Sequence, residues 1–380
     1  MNRREAAAAR LPYSLAQRVV RRLPVFRRLF WVPEGCFPDV PSLTEAANSN
    51  AADHNVALTK IQMPATAEPI GDANGNQPLF VAQMSPGKLV GDSLLVATVD
   101  NYVVGNIQAL HGVEDPVNHW VLRRCRYRRQ MRVPGMTALL AAGAGSNYYH
   151  WLFESLPRLL LLERAGYGLN QIDHFLLSET QQPFHEQTLD LLRIPGEKRW
   201  RGRKARVLQC DHLLVPSPPA PAMVFPAWVL SFLRRSFLPA AELVTEGQRL
   251  FISRRRARRR RLVNEVEVEE QLRRAGFKTV CLEDCSFTQQ VGLFAAASAI
   301  VAVHGAGLAN LVFARRGTKV VEWVVPTYIN HYYLRLARAL RLTYIEGIGV
   351  LAGGPRKRSG EDDLYLPPAD VRKALEQVGL

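Results

Sequence analysis

The chain has 380 residues, enough for two domains of ordinary size, and its 47% hydrophobic content excludes wholesale disorder and a fibrous structure. A formal charge of +15 calls for a polyanionic partner: nucleic acid, an acidic membrane surface or phosphorylated substrates. No apolar run approaches the ~18 residues of a membrane-spanning helix. The five cysteines (Cys36, Cys125, Cys210, Cys281, Cys285) are too scattered for a zinc site and read as reduced and mostly structural.

Residues 1–34 form a basic arm. Eight arginines between Arg3 and Arg28 alternate with Leu15, Val19, Val20, Leu23, Phe26, Leu29 and Phe30 near helical spacing. That pattern fits an amphipathic helix lying on an anionic membrane through residues 1–31, or a helix docked on its own domain. No signal peptide is visible, because arginines interrupt the apolar residues. The expected location is the cytoplasm, peripheral on the inner face of the membrane.

Residues 35–77 are rich in Pro, Ala, Asn and Asp and predict irregular structure. Strands are predicted over 91–102 and 137–142, then a helix over 148–164 that Pro157 kinks or restarts and Gly166 ends. A strand over 172–178, a helix over 184–193 and a strand over 207–215 lead to a Pro-rich linker at 216–226. The acceptor-side domain is therefore placed at 35–226.

From 249 onward the alternation is regular. Strands are predicted over 249–253, 278–282, 299–303, 318–325 and 342–348, with helices over 265–275, 287–298 and 330–341 and a short helix after Gly307. Asn264 with Glu267, and Ser286 with Gln289, have capping-box spacing. Alternation at this spacing means βαβ units and a parallel sheet, which binds ligands beyond the carboxyl ends of its strands. This second domain spans 227–350, with a C-terminal tail or helix at 351–380.

Its third strand runs into His304-Gly305-Ala306-Gly307-Leu308-Ala309-Asn310. Glycines there admit an anion close to the backbone and the helix start offers free N–H groups, although many α/β proteins use such glycines only for packing. Arg254 follows the first strand on the same sheet edge, where a guanidinium can hold a diphosphate bidentately. The rest of the run Arg254, Arg255, Arg256, Arg258, Arg259, Arg260, Arg261 reads as a solvated face, with one or two members near the strand end able to take phosphate. Glu322, closing the strand Lys319-Val320-Val321-Glu322, can accept from ribose hydroxyls or pair with an arginine.

In the first half, Asn147-Tyr148-Tyr149-His150-Trp151-Leu152-Phe153-Glu154 puts His150 and Glu154 at i and i+4, hence on one helix face. They can act as a base for an acceptor hydroxyl or as a structural pair at the helix start. A carboxylate is ready at neutral pH, whereas a histidine must first be neutral.

Four blocks in order resemble glycosyltransferase family 61, across residues 147–344: the Asn147 to Glu154 stretch; Ile252-Ser253-Arg254 with Asn264-Glu265; Gln290-Val291-Gly292-Leu293-Phe294 leading to His304 to Asn310; and Val321-Glu322. Ala309 stands where the family typically has Thr, and the arginine-crowded insert is unusual for it. The resemblance implies an α/β, GT-B-like fold of two facing Rossmann-like domains with parallel sheets. It implies an inverting transferase that moves a sugar from a nucleotide sugar, expected to be a UDP-sugar, to a hydroxyl of a polysaccharide or lipid-linked acceptor, as in bacterial surface or capsular polysaccharide biosynthesis.

Glu154 and His150 are then catalytic. Arg254, His304, Gly305, Ala306, Gly307, Asn310 and Glu322 bind the nucleotide sugar. No Asp-x-Asp is present and no metal or other cofactor is expected, the nucleotide sugar being a co-substrate. The alternatives are a basic nucleic-acid-binding protein, for which no recognition motif is found and no specific nucleic acid is expected, and a non-catalytic sugar-binding member of the same fold.

Overall fold

The computed structural model describes residues 35–37, 56–63, 78–91, 94–105, 129–178, 182–201, 206–353 and 360–380. The basic arm at 1–34 lies outside the described residues. Among those described, no helix is long and apolar enough to cross a membrane. The chain divides into two compact units at Pro219/Ala220.

The first unit carries strands β1 (Gly35–Phe37), β2 (Val56–Ile61), β3 (Leu79–Met84), β4 (Gly87–Val90), β5 (Leu95–Thr98), β6 (Tyr102–Val104) and β7 (Arg129–Leu139). There follow helix α1 (Tyr148–His150), a π-helical turn (Trp151–Ser155), α2 (Arg158–Arg164), β8 (His174–Leu177), α3 (Pro183–Leu191), β9 (Arg199–Arg201) and β10 (Arg206–Pro216). The sheet runs β1-β6-β5-β4-β10-β7-β8-β9, with β3 also on β10 and β2 on β3. β10 is its hub: one edge is parallel to β7, while residues 207–210 run antiparallel to β4 and 213–216 antiparallel to β3 on the other. The core includes Leu89, Val96, Val133, Leu139, Leu176 and Leu213, all essentially inaccessible.

Three expectations change here. Only β7, β8, β9 and the β7 edge of β10 make the parallel, helix-linked sheet expected of this half; from the other edge of β10 the same sheet continues through the antiparallel β2 to β6, with β1 parallel to β6 at its end. Residues 91–102 are not one strand, because the chain turns at Asp100-Asn101, where Asn101 takes φ 71° and separates β5 from β6. Residues 56–61, predicted irregular, form β2 by pairing with β3, a long-range partner that local composition does not reveal.

The second unit holds α4 (Ala227–Phe237), β11 (Gln248–Ile252), α5 (Glu265–Arg274), β12 (Phe277–Val280), α6 (Phe287–Ala296), β13 (Ala297–Val303), a 3₁₀ helix (Ala306–Phe313), β14 (Lys319–Val324), α7 (Tyr332–Ala339) and β15 (Thr343–Ile348). A small pair, β16 (Val350–Leu351) and β17 (Leu364–Tyr365), precedes α8 (Pro368–Gln377). The five main strands are all parallel in the order β12-β11-β13-β14-β15. Their residues alternate with α5, α6 and α7 in sequence, and both faces are apolar, as in Ile300, Val301, Ala302 and Val303, all at most 3% exposed.

That order reverses direction between β11 and β13. Strands grow outward to β12 on one side and to β14 and β15 on the other, so the helices leave on opposite faces and a crevice opens at the carboxyl ends of β11 and β13. Ser286 and Gln289 form the expected reciprocal cap of α6. Asn264 does not cap α5: its amide is bonded to the backbone of Leu366 and to the Glu267 carboxylate. The tail contributes β17 and α8, and Leu364, Leu366, Val371 and Leu375 join the core of this unit.

Candidate functional site

In the first unit, β7 delivers the chain to the His150 and Glu154 helix through a short turn. The Asn147 side chain accepts the N–H of Tyr149 at 2.9 Å and starts α1. Trp151, fully buried, donates to Thr188 at 2.9 Å, and a His185 ring nitrogen bonds the carbonyl of Gly145 at 2.8 Å, which ties the helix start to α3. Pro157 has no N–H to continue the helix, and the chain responds with a π turn in which Leu156 N–H reaches the Trp151 carbonyl at 3.0 Å. Arg158, 1% exposed, donates its Nε–H to the Glu154 carbonyl at 3.1 Å. Burial pushes its guanidinium down to about 10, opposed by Glu154, so it is a cation at neutral pH set beneath that turn.

His150 Nδ1 and Glu154 Oε1 lie 2.8 Å apart, and both side chains keep a solvent-facing edge, 19% and 17% exposed. A carboxylate oriented by a histidine and open to a reactant is the arrangement a general base requires.

In the second unit, β11 ends at Ile252 and the next residues are fixed by α5. Glu265, nearly buried, accepts the hydroxyl of Ser253 and the backbone N–H of Arg254 at 3.2 Å. Arg254 then turns back. Its Nε donates to the Arg260 carbonyl at 3.0 Å and its Nη2 to the Arg259 carbonyl at 2.8 Å. Its Nη1 rests against Gly305 so closely that a Cβ at that position would overlap it.

The two turn glycines therefore differ in use. Gly305 makes room for a guanidinium, whereas a Cβ on Gly307 would come 2.6 Å from Leu282 and meet only packing. The first bond of the 3₁₀ helix runs from Leu308 N–H to the Gly305 carbonyl at 3.0 Å, which leaves the N–H groups of Ala306 and Gly307 ahead of the helix without an intrahelical acceptor. Burial, reinforced by the neighbouring Arg260, pushes Arg254 down to about 10, still cationic at neutral pH.

His304, Glu322 and Asn310 are brought to the same turn in a supporting position. The Glu322 carboxylate is fully buried; one oxygen lies 2.5 Å from His304 Nδ1 and the other accepts the Tyr344 hydroxyl. Asn330 lies 3.1 Å from His304 Nε2, so both ring nitrogens are occupied inside the protein. An inward carboxylate at 322 was expected to meet ribose hydroxyls or an arginine; it meets a histidine and a tyrosine instead. The Asn310 amide donates to Gln290 at 3.0 Å and to the Gly307 carbonyl at 3.1 Å, clamping the turn to α6.

Sequence reasoning did not assign roles to Glu265, Gln290, Asn330 or Tyr344. Glu265 and Gln290 stand inside the motif blocks and were open to notice; Asn330 and Tyr344 have no local signature, since their partners lie 26 and 22 residues away. Among the described residues no group of three or more His, Cys, Asp or Glu could hold a metal ion.

Residues 148–321 match the glycosyltransferase 61 family. The matched segment includes His150, Glu154, Arg254 and the His304 to Gly307 turn and ends one residue before Glu322, and it supports a transferase activity of the glycosyltransferase class. Beyond the segment matched to glycosyltransferase 61, a solved structure of the dodecameric iron-containing heptosyltransferase TibC in complex with ADP-D-beta-D-heptose shows a loose likeness. It has 12% identity and a TM-score of 0.32, over 83% of this chain and 99% of that one. No curated protein matches the chain.

Proposed function

We propose that the chain is an inverting glycosyltransferase that moves a sugar from a nucleoside diphosphate sugar, in the first instance a UDP-sugar, to an acceptor hydroxyl. The observation that carries this reading is the seat of Arg254 at the strand-order reversal. Among the described residues this guanidinium has no carboxylate partner, and it lies against Gly305, beside two N–H groups at the head of a helix that have no intrahelical acceptor. Such a cradle suits a leaving diphosphate, and it stabilises the charge that grows as the glycosidic bond breaks. No divalent ion enters this reading.

Glu154 is the general base and His150 its orienting partner. The acceptor oxygen attacks the anomeric carbon, its proton passes to the Glu154 carboxylate, and the bond to the diphosphate breaks with the electron pair leaving on the nucleotide. Glu322 acts one step removed, holding His304 so that the backbone after it points outward. The GT-B-like pairing of the two units, a polysaccharide or lipid-linked acceptor, a role in bacterial surface polysaccharide synthesis and a place on the inner membrane face all belong to the same reading, supported by the family match and the basic arm.

The test is Glu154→Gln assayed in EDTA with the nucleotide sugar that gives the largest thermal shift in a screen of UDP- and GDP-sugars. The variant keeps donor affinity and loses on the order of 10²-fold in kcat. Full turnover by this variant removes Glu154 from the reaction. Wild-type activity that EDTA abolishes and manganese restores overturns the metal-free mechanism.

A further inference from the structure

Of the seven arginines between 254 and 261, the fold sorts six into two groups, and Arg258 is exposed. Arg255 pairs with Glu265 at 3.4 Å and Glu269 at 2.5 Å, Arg256 with Asp284, Arg259 with Glu361 at 3.7 Å and Arg261 with Asp363 at 3.1 Å. All four side chains are more than half exposed. Arg254 and Arg260 instead turn inward, and among the described residues neither has a carboxylate at ion-pair distance. Arg260 donates from Nε to the His304 carbonyl at 3.1 Å and from Nη1 to the Gly360 carbonyl at 2.9 Å. With Arg254 Nη1 resting against Gly305, these contacts bring both guanidinium groups to the His304-Gly305 peptide.

Backbone carbonyls aim a guanidinium without cancelling its charge. Among the described residues, the bonds made here leave Arg254 Nη1 and Arg260 Nη2 with no protein acceptor. Two half-buried cations this close disfavour one another, and each is pushed below the usual arginine range, chiefly by burial and then by a neighbouring arginine. Arg260 also sits at φ 53°, a left-handed conformation costly for a residue with a side chain, and such strain persists only where the surroundings impose it. The loop thus spends conformational energy to bring a second positive charge beside the first.

We propose that Arg260 is a second phosphate-binding arginine, so that the turn takes two linked phosphates and selects nucleoside diphosphate sugars over nucleoside monophosphate sugars. The inference rests on reading this turn as the donor site. Each guanidinium can face one phosphate with a planar pair of N–H groups, a match to a diphosphate that a lysine could not reproduce.

Inorganic pyrophosphate and orthophosphate serve as probes, because they need no knowledge of the base or the sugar. By calorimetry at matched ionic strength, the full chain binds pyrophosphate at least ~10-fold tighter than orthophosphate, and Arg260→Gln loses about 10-fold or more of the pyrophosphate affinity. Arg256→Gln, whose guanidinium is paired with Asp284, binds as wild type. Should Arg260→Gln fail to fold, phenylglyoxal labelling of the wild-type chain read by mass spectrometry decides: pyrophosphate shields Arg254 and Arg260 and leaves Arg256 reactive.

Absence of pyrophosphate binding, wild-type affinity in Arg260→Gln, or shielding of Arg254 without Arg260 overturns the inference. If a nucleotide sugar is bound and turned over while Arg260→Gln binds it unchanged, the subsite falls and the glycosyltransferase reading stands. If pyrophosphate binding depends on Arg260 but no nucleotide sugar is bound or turned over, the subsite stands and that reading falls.

Discussion

Arg254 is where one side chain has the largest consequence. Its bonds go to main-chain carbonyls and its Nη1 lies at the glycine turn, so its removal takes away a preorganised charge while the ion pairs around it stay in place. Arg254→Ala is expected to lower donor affinity by about 1.5 to 3 kcal/mol, roughly 10- to 150-fold, measured by calorimetry with the nucleotide sugar found by thermal shift. Unchanged affinity would remove the diphosphate from this turn. The sequence showed this residue clearly, because a basic side chain after the first strand and glycines after the third must share a sheet edge. It did not show Arg260, one of seven arginines in eight positions, since only the backbone path separates those that point outward to acids from the two that point inward. Glu322 was legible as an inward carboxylate but not as the partner of His304 and Tyr344, because a strand position fixes direction and leaves the neighbour unnamed.

At the scale of elements, Gly292 sets two effects against each other. It lies in α6, where replacing glycine by alanine ordinarily gains up to ~1 kcal/mol of helix propensity. Here, however, the helix packs against the backbone of Glu242, and a Cβ would overlap that residue's carbonyl oxygen. Overpacking against main chain costs about 1 to 3 kcal/mol and outweighs the gain. Gly292→Ala should therefore lower the thermal midpoint, and a midpoint raised by the substitution would show that α6 can shift freely. The alternation of the second unit was readable almost element for element, because each strand and helix carries its own period and α6 its own cap. The first unit was less readable. β2 and the β5 and β6 turn depend on antiparallel partners, and the π turn before Pro157 has the same apolar pattern as an ordinary helix. Its presence follows from the missing N–H of Pro157, and the buried Arg158 beneath it was not anticipated.

For the whole molecule the charge of +15 is unevenly spread. Residues 1–31 hold eight arginines against one glutamate, which is +7 of the total. A basic segment of this kind with interspersed apolar side chains should bind anionic bilayers, and deletion of residues 1–31 is expected to abolish co-sedimentation with phosphatidylserine liposomes. Persistence of co-sedimentation would move the membrane contact elsewhere. The charge total and its unevenness were plain in the sequence; which cations are neutralised was not, because the acids that answer the 254 to 261 run come from Glu265, Glu269, Asp284, Glu361 and Asp363, up to about a hundred positions away. That pairing makes Arg255, Arg256, Arg259 and Arg261, four members of the densest arginine cluster in the chain, a brace and not a bait. On a heparin or DNA resin the full chain and the deletion variant should part company, with retention and its salt dependence falling sharply along with the first 31 residues although every arginine of the brace remains.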